Sequence, residues 1–303
     1  TSLLVGGSCA LRVAFQPTER GPNDATLTAI SGSLGSTSIA LKGLGLAPQS
    51  GIVSTVDPSS TRIVDRSSSR TSQPQGKEPS TPFEEELTIA KEVHKQAKVV
   101  IGQAMGDARK GRRLNIEAVS MVSERLVESV LRNKDAISSL SRLKSFDEYT
   151  FFHSVNVAIL ALAMGRQRGT PREALSRLGL GALLHDIGKM KIPYDLLNAP
   201  RRLEEGEREI IKQHVMRGAE YLSQHTVLPE ETLRPVLEHH ERVDGTGYPA
   251  GRRRKDLSQF GLIASIVDVY DAITSDRVYH KGMTPHQALR QVHGLALEGH
   301  LDL

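Results

Sequence analysis

The chain has 303 residues and a formal net charge of +4, enough length for one large domain or two modest ones. The single cysteine, Cys9, excludes an internal disulfide, and no apolar run approaches the roughly 20 residues that cross a bilayer. We therefore expect a soluble cytoplasmic protein without a membrane span, in which the slight positive charge favours a phosphate-bearing partner without requiring one.

The first 46 residues are predicted to form short β-strands. Leu11, Val13 and Phe15 occupy every second position, which is the period of a half-buried strand, and two further short strands are expected near 25–30 and 38–42. The stretch SCALRVAFQPTERGPNDATLTAI resembles the last strands of bacterial immunoglobulin-like repeats of the ASH or choice-of-anchor kind. Residues 1–46 are accordingly predicted to be a partial immunoglobulin-like β fragment.

Residues 47–82 are predicted to be a flexible linker, because they are rich in Ser, Thr, Pro and Gln. From Phe83 onward the apolar residues recur with a helical period, over 87–105 and again over 116–131. Gly111 lies between the two runs, which predicts a helical hairpin. A third segment is predicted at 135–144, and the hairpin region as a whole is assigned to 83–145. The sequence leaves open whether the 83–143 helices pack on the following domain or form a homodimer.

The remaining domain, 146–303, lacks runs of alternating polarity and is predicted to be all-α, so the fold class of the chain is mainly α. Five helices are expected, followed by a partial one: Tyr149–Gln167, Arg172–Ile187, Glu204–Gln224, Glu230–Arg242, Gln259–Ser275 and Pro285–Leu297.

Metal-ligand residue types lie on the apolar faces of these five helices. They are His153, His185, Asp186, His214, His239, His240, Asp268 and Asp271. One buried histidine is usually a hydrogen-bonded core residue, but a carboxylate is costly to bury unless it is paired or bound to a metal. A shared metal centre explains all of these positions together. Imidazole and carboxylate ligands suit Fe, Mn, Zn or Ni, and the lack of thiolates argues against a structural zinc site.

The number of ligands exceeds the needs of one ion. Two ions roughly 3.5–4 Å apart, bridged by a carboxylate and a hydroxide, are the usual arrangement for hydrolysing a phosphate ester. Lys189 stands one turn after His185, where it is placed either to contact the same phosphate or to remain solvated at the end of a helix.

A glycine-rich segment, HHERVDGTGYPAG, follows the fourth of these helices. Gly245 and Gly247 permit tight turns, and Tyr248 is placed to stack on a base or ribose. An ordinary interhelical turn would be the simpler interpretation without the adjacent His239 and His240. The basic run at 251–255 is either solvated surface or part of a phosphate-binding surface.

The motifs LLHDIGKMKIP, HVMRGAEYL, HHERVDGTGYP and IVDVYDAITSDRVYHKGM together resemble the HD-GYP family of the HD superfamily, from about residue 147 to the end. The resemblance implies an HD-type helical bundle with a two- or three-metal centre that hydrolyses cyclic di-GMP to pGpG or on to GMP. It implies metal ligation by His153, His185, Asp186, His214, His239, His240 and Asp268, with Asp186 bridging two ions. It implies substrate contacts by Lys189, by the lip Gly247, Tyr248 and Pro249, and by Arg277, with Lys189 and Asp186 as the catalytic residues.

Several positions depart from the family pattern. Members with three metals carry a glutamate one turn before the first histidine, where this chain has Tyr149. We therefore expect two divalent ions, Fe or Mn first and Zn, Ni or Co as alternatives, and pGpG as the main product. Arg252 replaces a common apolar residue, His280 stands at a usually basic position, and the family continues with one more helix beyond Leu303.

Three functions remain open at this point. The first is hydrolysis of cyclic di-GMP, and the second is hydrolysis of another phosphate compound, such as a different cyclic dinucleotide or a ppGpp-like alarmone, by the same centre. The third is a non-catalytic module that responds to a cyclic dinucleotide and signals through the 83–143 helices. We expect no DNA or RNA polymer as a partner.

Overall fold

The computed structural model describes residues 81–141, 149–275 and 281–302, together with the backbone of three strands nearer the N-terminus; the side chains of 149–152 are not described. The chain divides into two units, Thr1–Arg70 and Thr71–Leu303. None of the helices in the described ranges is long and apolar enough to cross a membrane.

The first unit contains a three-stranded antiparallel sheet of β1 (Arg12–Pro17), β2 (Asp24–Ser31) and β3 (Gly35–Lys42), in that order. These strands overlap the three that the sequence predicts. The immunoglobulin-like assignment and the domain boundaries at 46, 82 and 145 stay predictions. Residues 47–80 of the predicted linker lie outside the described residues.

The second unit begins with a helical hairpin of α1 (Phe83–Arg109) and α2 (Ile116–Leu140), which pack along each other. The turn between them contains Gly111 at a φ of 66°. The range of α2 is interrupted at Asn133, whose backbone is non-helical (φ −154°, ψ 98°). A second helical stretch begins there, where the third segment is predicted, and the Asn133 side-chain oxygen caps it by accepting hydrogen bonds from the amides of Asp135 and Ala136.

The helical elements after the hairpin confirm the mainly-α fold class. They are α3 (Tyr149–Gln167), α4 (Arg172–Leu184), a 3₁₀ turn (Ile187–Lys191), α5 (Tyr194–Leu197), α6 (Glu205–Lys212), α7 (His214–His225), α8 (Glu230–Glu238), α9 (Gln259–Thr274) and α10 (Pro285–Leu297). Helix α3 packs against α4, α9 and both hairpin helices, while α8 packs between α4 and α9. Leu162, Leu178 and Leu183 are fully buried in the resulting core.

Two predicted helices are wrong in their continuity. The segment predicted as Glu204–Gln224 forms α6 and α7, which meet at Gln213. The helix predicted as Arg172–Ile187 ends at Leu184, where the chain passes through His185 and Asp186 into the tighter 3₁₀ turn. A hydrophobic period is too coarse to reveal a one-residue break, because the apolar face continues on both sides of it.

Gly188 allows the 3₁₀ turn and α7 to pack backbone against backbone. A Cβ atom at this position would lie 1.9 Å from the carbonyl oxygen of His214 and 2.5 Å from the amide nitrogen of Gly218. No side chain fits in that space. The contact therefore fixes the distance between the segment carrying His185 and Asp186 and the segment carrying His214.

We predict that Gly188→Ala destabilises the protein by about 3 kcal/mol, because the new methyl group must push two backbone segments apart. Gly206→Ala is the matched control, since a Cβ there meets nothing within 4 Å. That control is expected to change stability by less than about 1 kcal/mol. Chemical denaturation of both variants measures the difference, and equal midpoints would contradict the prediction.

Candidate metal centre

The seven predicted ligands come from five parts of the helical unit and meet in its interior. His153 lies on α3, His185 and Asp186 follow α4, His214 begins α7, His239 and His240 follow α8, and Asp268 lies on α9. Six of them are buried and His240 is half-buried. Helix ends supply most of these side chains, and packing of the helices brings them together.

One group of potential ligands consists of Asp186, His214, His239 and His240, whose nitrogen and oxygen atoms all lie within 4.8 Å of one another. The Oδ1 atom of Asp186 is 3.4 Å from Nε2 of His214 and 3.7 Å from Nε2 of His239. The two imidazole nitrogens of His214 and His239 are themselves 3.4 Å apart. These separations match a set of atoms facing one small central position.

A second group consists of His153, His185 and the same Asp186. Here the other carboxylate oxygen is used: Oδ2 of Asp186 is 3.6 Å from Nε2 of His153 and 3.3 Å from Nε2 of His185. The two oxygens of one carboxylate thus face two different sets of histidines.

Asp268 lies beside both groups. Its Oδ1 atom is 3.0 Å from Nε2 of His153 and 3.9 Å from Nε2 of His185, and its Oδ2 atom is 3.9 Å from Nδ1 of His240. The carboxylate therefore provides an oxygen ligand within reach of either set.

Backbone carbonyls orient three of the imidazole rings. His185, His214 and His239 each donate Nδ1–H to a carbonyl three or four residues earlier, at 2.8 Å to Ala182, 2.7 Å to Ile211 and 2.8 Å to Pro235. A proton on Nδ1 leaves the lone pair of Nε2 free, and Nε2 is the atom that faces the cluster in each case. These side chains are already in the tautomer that a metal ion requires.

The protonation states of the group formed by Asp186, His214, His239 and His240 also suit metal binding. Burial lowers the pKa of His214 to about 3, and it lowers the pKa of His239 and of His240 as well. Burial by itself would raise the pKa of Asp186, but the nearby Lys189 ammonium and the His185 ring outweigh it and hold that pKa well below its usual range. Neutral imidazoles and an ionised carboxylate are the forms that bind divalent cations.

Two atoms of the cluster have no hydrogen-bond partner among the described residues, although both are buried. They are Nε2 of His185 and Oδ1 of Asp186. Unpartnered buried polar atoms are unfavourable, and a cation held by each group would satisfy one of the two. The residues present therefore fit a divalent metal ion.

Asp271, which the sequence placed among the ligand-type residues but not among the seven predicted ligands, completes this site. Its Oδ2 atom is 2.8 Å from Nδ1 of His153. Burial lowers the pKa of His153, but its hydrogen bonds to Asp268 and Asp271 prevail and raise it to about 9. The available signal was the position of Asp271 one turn after Asp268 on an otherwise apolar helix.

The predicted lip covers the half-buried side of the cluster. The Tyr248 ring stacks on His240, with centroids 4.6 Å apart, and the Tyr248 amide donates to the His240 carbonyl at 3.1 Å. Gly247 permits this close return, because a Cβ there would lie 2.3 Å from the amide nitrogen of Arg242. One face of the tyrosine predicted to stack on a base or ribose is thus occupied by His240, and the Lys212 ammonium lies 5.5 Å from the ring centroid.

Two buried glutamates, which the sequence analysis did not identify, hold the lip in place. The Glu241 carboxylate accepts hydrogen bonds from the amides of Ala250 at 2.7 Å and Arg252 at 2.9 Å. The Arg252 guanidinium in turn donates to Glu238 at 2.9 Å. The arginine that departs from the family pattern is therefore a tether of the lip. A signal existed in the two glutamates that flank the histidine pair in the sequence EHHE.

The remaining predicted substrate contacts are only partly described. The Lys189 ammonium lies 2.5 Å from Oδ2 of Asp186 and its side chain is 23% exposed, so it borders both the cluster and solvent. Arg277 and His280 lie outside the described residues. Helix α3 begins at Tyr149, whose side chain is also outside them.

A family model described as an HD domain matches residues 113–303. A cyclic di-GMP phosphodiesterase of Pseudomonas aeruginosa is 39% identical over 220 residues, which cover 73% of this chain and 53% of that protein. A cyclic di-GMP phosphodiesterase of Thermotoga maritima is 32% identical over 164 residues, 54% of this chain and 45% of that protein. The chain spans about half the length of these relatives.

A solved structure from Bdellovibrio bacteriovorus, described as an HDG"Y"P protein, has a TM-score of 0.57 and 19% identity, covering 77% of this chain and 71% of that one. At this identity the likeness concerns the fold. The family match covers more than half of the chain and contains the histidine–aspartate pair and the lip. The chain belongs to the HD domain family.

Proposed function

We propose that this chain is a metal-dependent phosphodiesterase that hydrolyses cyclic di-GMP to pGpG. The observation that supports this most strongly is the Asp186 carboxylate, whose two oxygens face two separate sets of histidines. That arrangement suits two divalent cations, with Fe or Mn as the first choice and Zn, Ni or Co as alternatives. The two relatives described above are named for cyclic di-GMP.

The cations, the histidines and Lys189 have different roles in the proposed reaction. Two bound cations would supply an activated water and neutralise charge on the phosphoryl oxygens. The carbonyl-bound imidazoles hold their Nε2 atoms in place, so little reorganisation is needed when the site is loaded. Lys189 contributes a partly exposed positive charge beside Asp186, which is suited to bind a phosphate oxygen of the substrate.

The lip provides the substrate contacts in this proposal. Gly247, Tyr248 and Pro249 form its inner edge beside His240, and Lys212 adds a positive charge over the outer face of the tyrosine ring. Arg277 is proposed, from the family resemblance, to bind a guanine or a phosphate. The expectation of pGpG as main product rests on the Tyr149 position and is part of the same proposal.

The shared role of Asp186 gives a testable metal stoichiometry. We predict two ions per chain in Mn-loaded wild type, loss of both in Asp186→Asn, and loss of one in His240→Gln or His185→Gln, because each of these histidines belongs to one group only. His286→Gln on the exposed surface of α10 is the control. Metal content after gel filtration measures the outcome. Retention of two ions by Asp186→Asn would contradict the bridging role.

The same experiment has a thermodynamic counterpart. A cation present at 100 times its dissociation constant should stabilise the folded protein by about 2.7 kcal/mol per site. Metal-stripped wild type is therefore expected to unfold at a lower temperature than the loaded protein, and Asp186→Asn should lose this difference.

Turnover tests the proposed reaction directly. Fe- or Mn-loaded protein, kept under reducing conditions, is expected to convert cyclic di-GMP to pGpG. We predict that Lys189→Met lowers kcat/KM about 100-fold with unchanged metal content, the size expected for one lost electrostatic contact to the transition state. Lys191→Met is the matched control, because the Lys191 ammonium lies over the Tyr221 ring, 4.9 Å from its centroid.

The outcomes of the assay separate the three functions. A panel containing cyclic di-GMP, 3′3′-cGAMP, cyclic di-AMP and ppGpp distinguishes hydrolysis of cyclic di-GMP from hydrolysis of another phosphate compound. Binding of cyclic di-GMP by metal-loaded protein without turnover of any member would identify the non-catalytic module and refute the proposal.

The tether of the lip gives a further prediction. Glu241→Gln replaces a buried carboxylate that accepts two backbone hydrogen bonds by an amide that can accept only with its oxygen. We expect KM for cyclic di-GMP to rise about tenfold, the order of one lost charge-assisted hydrogen bond, while kcat changes less. Hydrogen exchange at the Ala250 amide should accelerate. Glu231→Gln on the exposed end of α8 is the control, and an unchanged KM would contradict the role of the tether.

A homodimer through the 83–143 helices stays part of the proposal. The described hairpin leaves three large apolar side chains at least 40% exposed, and these are available to a second copy: Ile89, Val99 and Met121.

A further inference from the structure

The outer nitrogen of His153 connects the metal centre to a second buried polar chain. While Nε2 of His153 faces Asp268 and Asp186, Nδ1 is held by Oδ2 of Asp271 at 2.8 Å. A carboxylate on the outer nitrogen of a ligating histidine fixes the orientation of the ring and raises its basicity. The position of Asp271 therefore determines where the His153 ligand atom lies.

Asn156 controls the orientation of Asp271. Its side-chain amide donates a hydrogen bond at 3.2 Å to Oδ1 of Asp271, the oxygen that His153 does not use. Asn156 lies one turn after His153 on α3, between the fully buried Val155 and Val157. Burying an amide among apolar side chains costs free energy unless its hydrogen bonds are satisfied. The hydrogen-bond partners of Asn156 therefore help to stabilise the fold around the site.

His94, on hairpin helix α1, is the partner of Asn156 on its other side. The ring is only 5% exposed and follows the buried Val93 in the hairpin core. Burial and the charge of Lys98 lower the pKa of His94 to about 4, against an opposing contribution from its contact with the Asn156 side chain. The imidazole is therefore neutral at pH 7, with one nitrogen that donates.

The two facing groups have no other described partner. Nε2 of His94 and Oδ1 of Asn156 are both buried, and neither makes a hydrogen bond of ordinary geometry to any described residue. Two helices that pack against each other, α1 and α3, thus each contribute one unsatisfied polar atom, a nitrogen of His94 and an oxygen of Asn156. With its proton on Nε2, His94 is a hydrogen-bond donor for Oδ1 of Asn156. A small rotation of the imidazole ring or of the amide group forms this hydrogen bond.

We propose that His94 is a positioning residue of the metal centre, acting through Asn156 and Asp271 on His153. The inference rests on the proposed metal-dependent function. It extends the site to a helix outside the residues that match the HD domain family, 113–303. Helix α1 packs on both α3 and the 3₁₀ turn that follows His185 and Asp186. A displacement of the hairpin would therefore reach the ligand set through the contact of His94 with Asn156 and the hydrogen bonds that join Asn156, Asp271 and His153.

The affinity for Mn²⁺, measured by titration of the metal-stripped full chain, tests this role without any substrate. We expect His94→Leu to weaken one of the two sites about tenfold, the lower end of the range for lost outer partners of metal ligands. His94→Gln carries an amide nitrogen near the position of Nε2 and should restore most of that affinity. Asp271→Asn, one step from the ligand, should weaken the same site by about 10- to 100-fold.

Val93→Ala is the matched control, because it removes buried volume from the same helix without touching the polar chain. It should lower the unfolding temperature and leave both Mn²⁺ affinities unchanged. A folded His94→Leu protein with wild-type affinity would overturn the inference. If His94→Leu does not fold, Asn156→Ala breaks the same chain from α3, and wild-type affinity in that variant would overturn it equally.

Failure of the proposed function would give metal-binding results different from those that refute the role of His94 alone. Wild-type protein that binds no divalent cation would refute the metal centre and this inference together. Wild-type protein that binds two ions and hydrolyses cyclic di-GMP, beside a His94→Leu variant of equal affinity, would refute the positioning role alone.

Discussion

The structure depends on keeping one carboxylate ionised in the protein interior. Asp186 is fully buried, and a charge in that position is tolerable only where positive or coordinating groups surround it. Lys189 supplies the first of these, and the ring nitrogens of five histidines supply the rest. Because the elements that carry them are brought together by packing of the 3₁₀ turn on α7 and of α8 on α9, the fold and the site are formed by the same contacts.

A second layer of polar groups determines the geometry of the first. Backbone carbonyls orient three histidines, Asp271 orients a fourth, and Glu238 and Glu241 hold the lip against His240. Ligands fixed in this way lose little freedom when a cation binds, which favours both affinity and a defined position for a reacting phosphate. The carboxylates of Glu238 and Glu241 orient the lip through their hydrogen bonds to Arg252. Arg252 is basic and close to the site, but its contacts are those of a residue that holds the lip in place.

The hairpin of α1 and α2 contributes to the site as well as preceding it. Its first helix packs against α3 and the 3₁₀ turn, and it places His94 at the end of a buried chain that leads to His153. The comparison with the Bdellovibrio structure covers more of the chain than the family model does, in line with a fold that includes part of this hairpin.

The sequence by itself determined the helical class, and it predicted the hairpin around Gly111 and the seven ligand-type residues. These follow from local rules, since an apolar period defines a helical face and a histidine or aspartate on that face needs a partner. Only the tertiary structure decided that Asp186 faces two groups, that α6 and α7 separate at Gln213, and that Asp271, Glu238, Glu241 and His94 have positions around the centre. Buried glutamates and a lone core histidine look the same in sequence whatever they contact, because their partners lie on other helices and the distances between helices are set by packing.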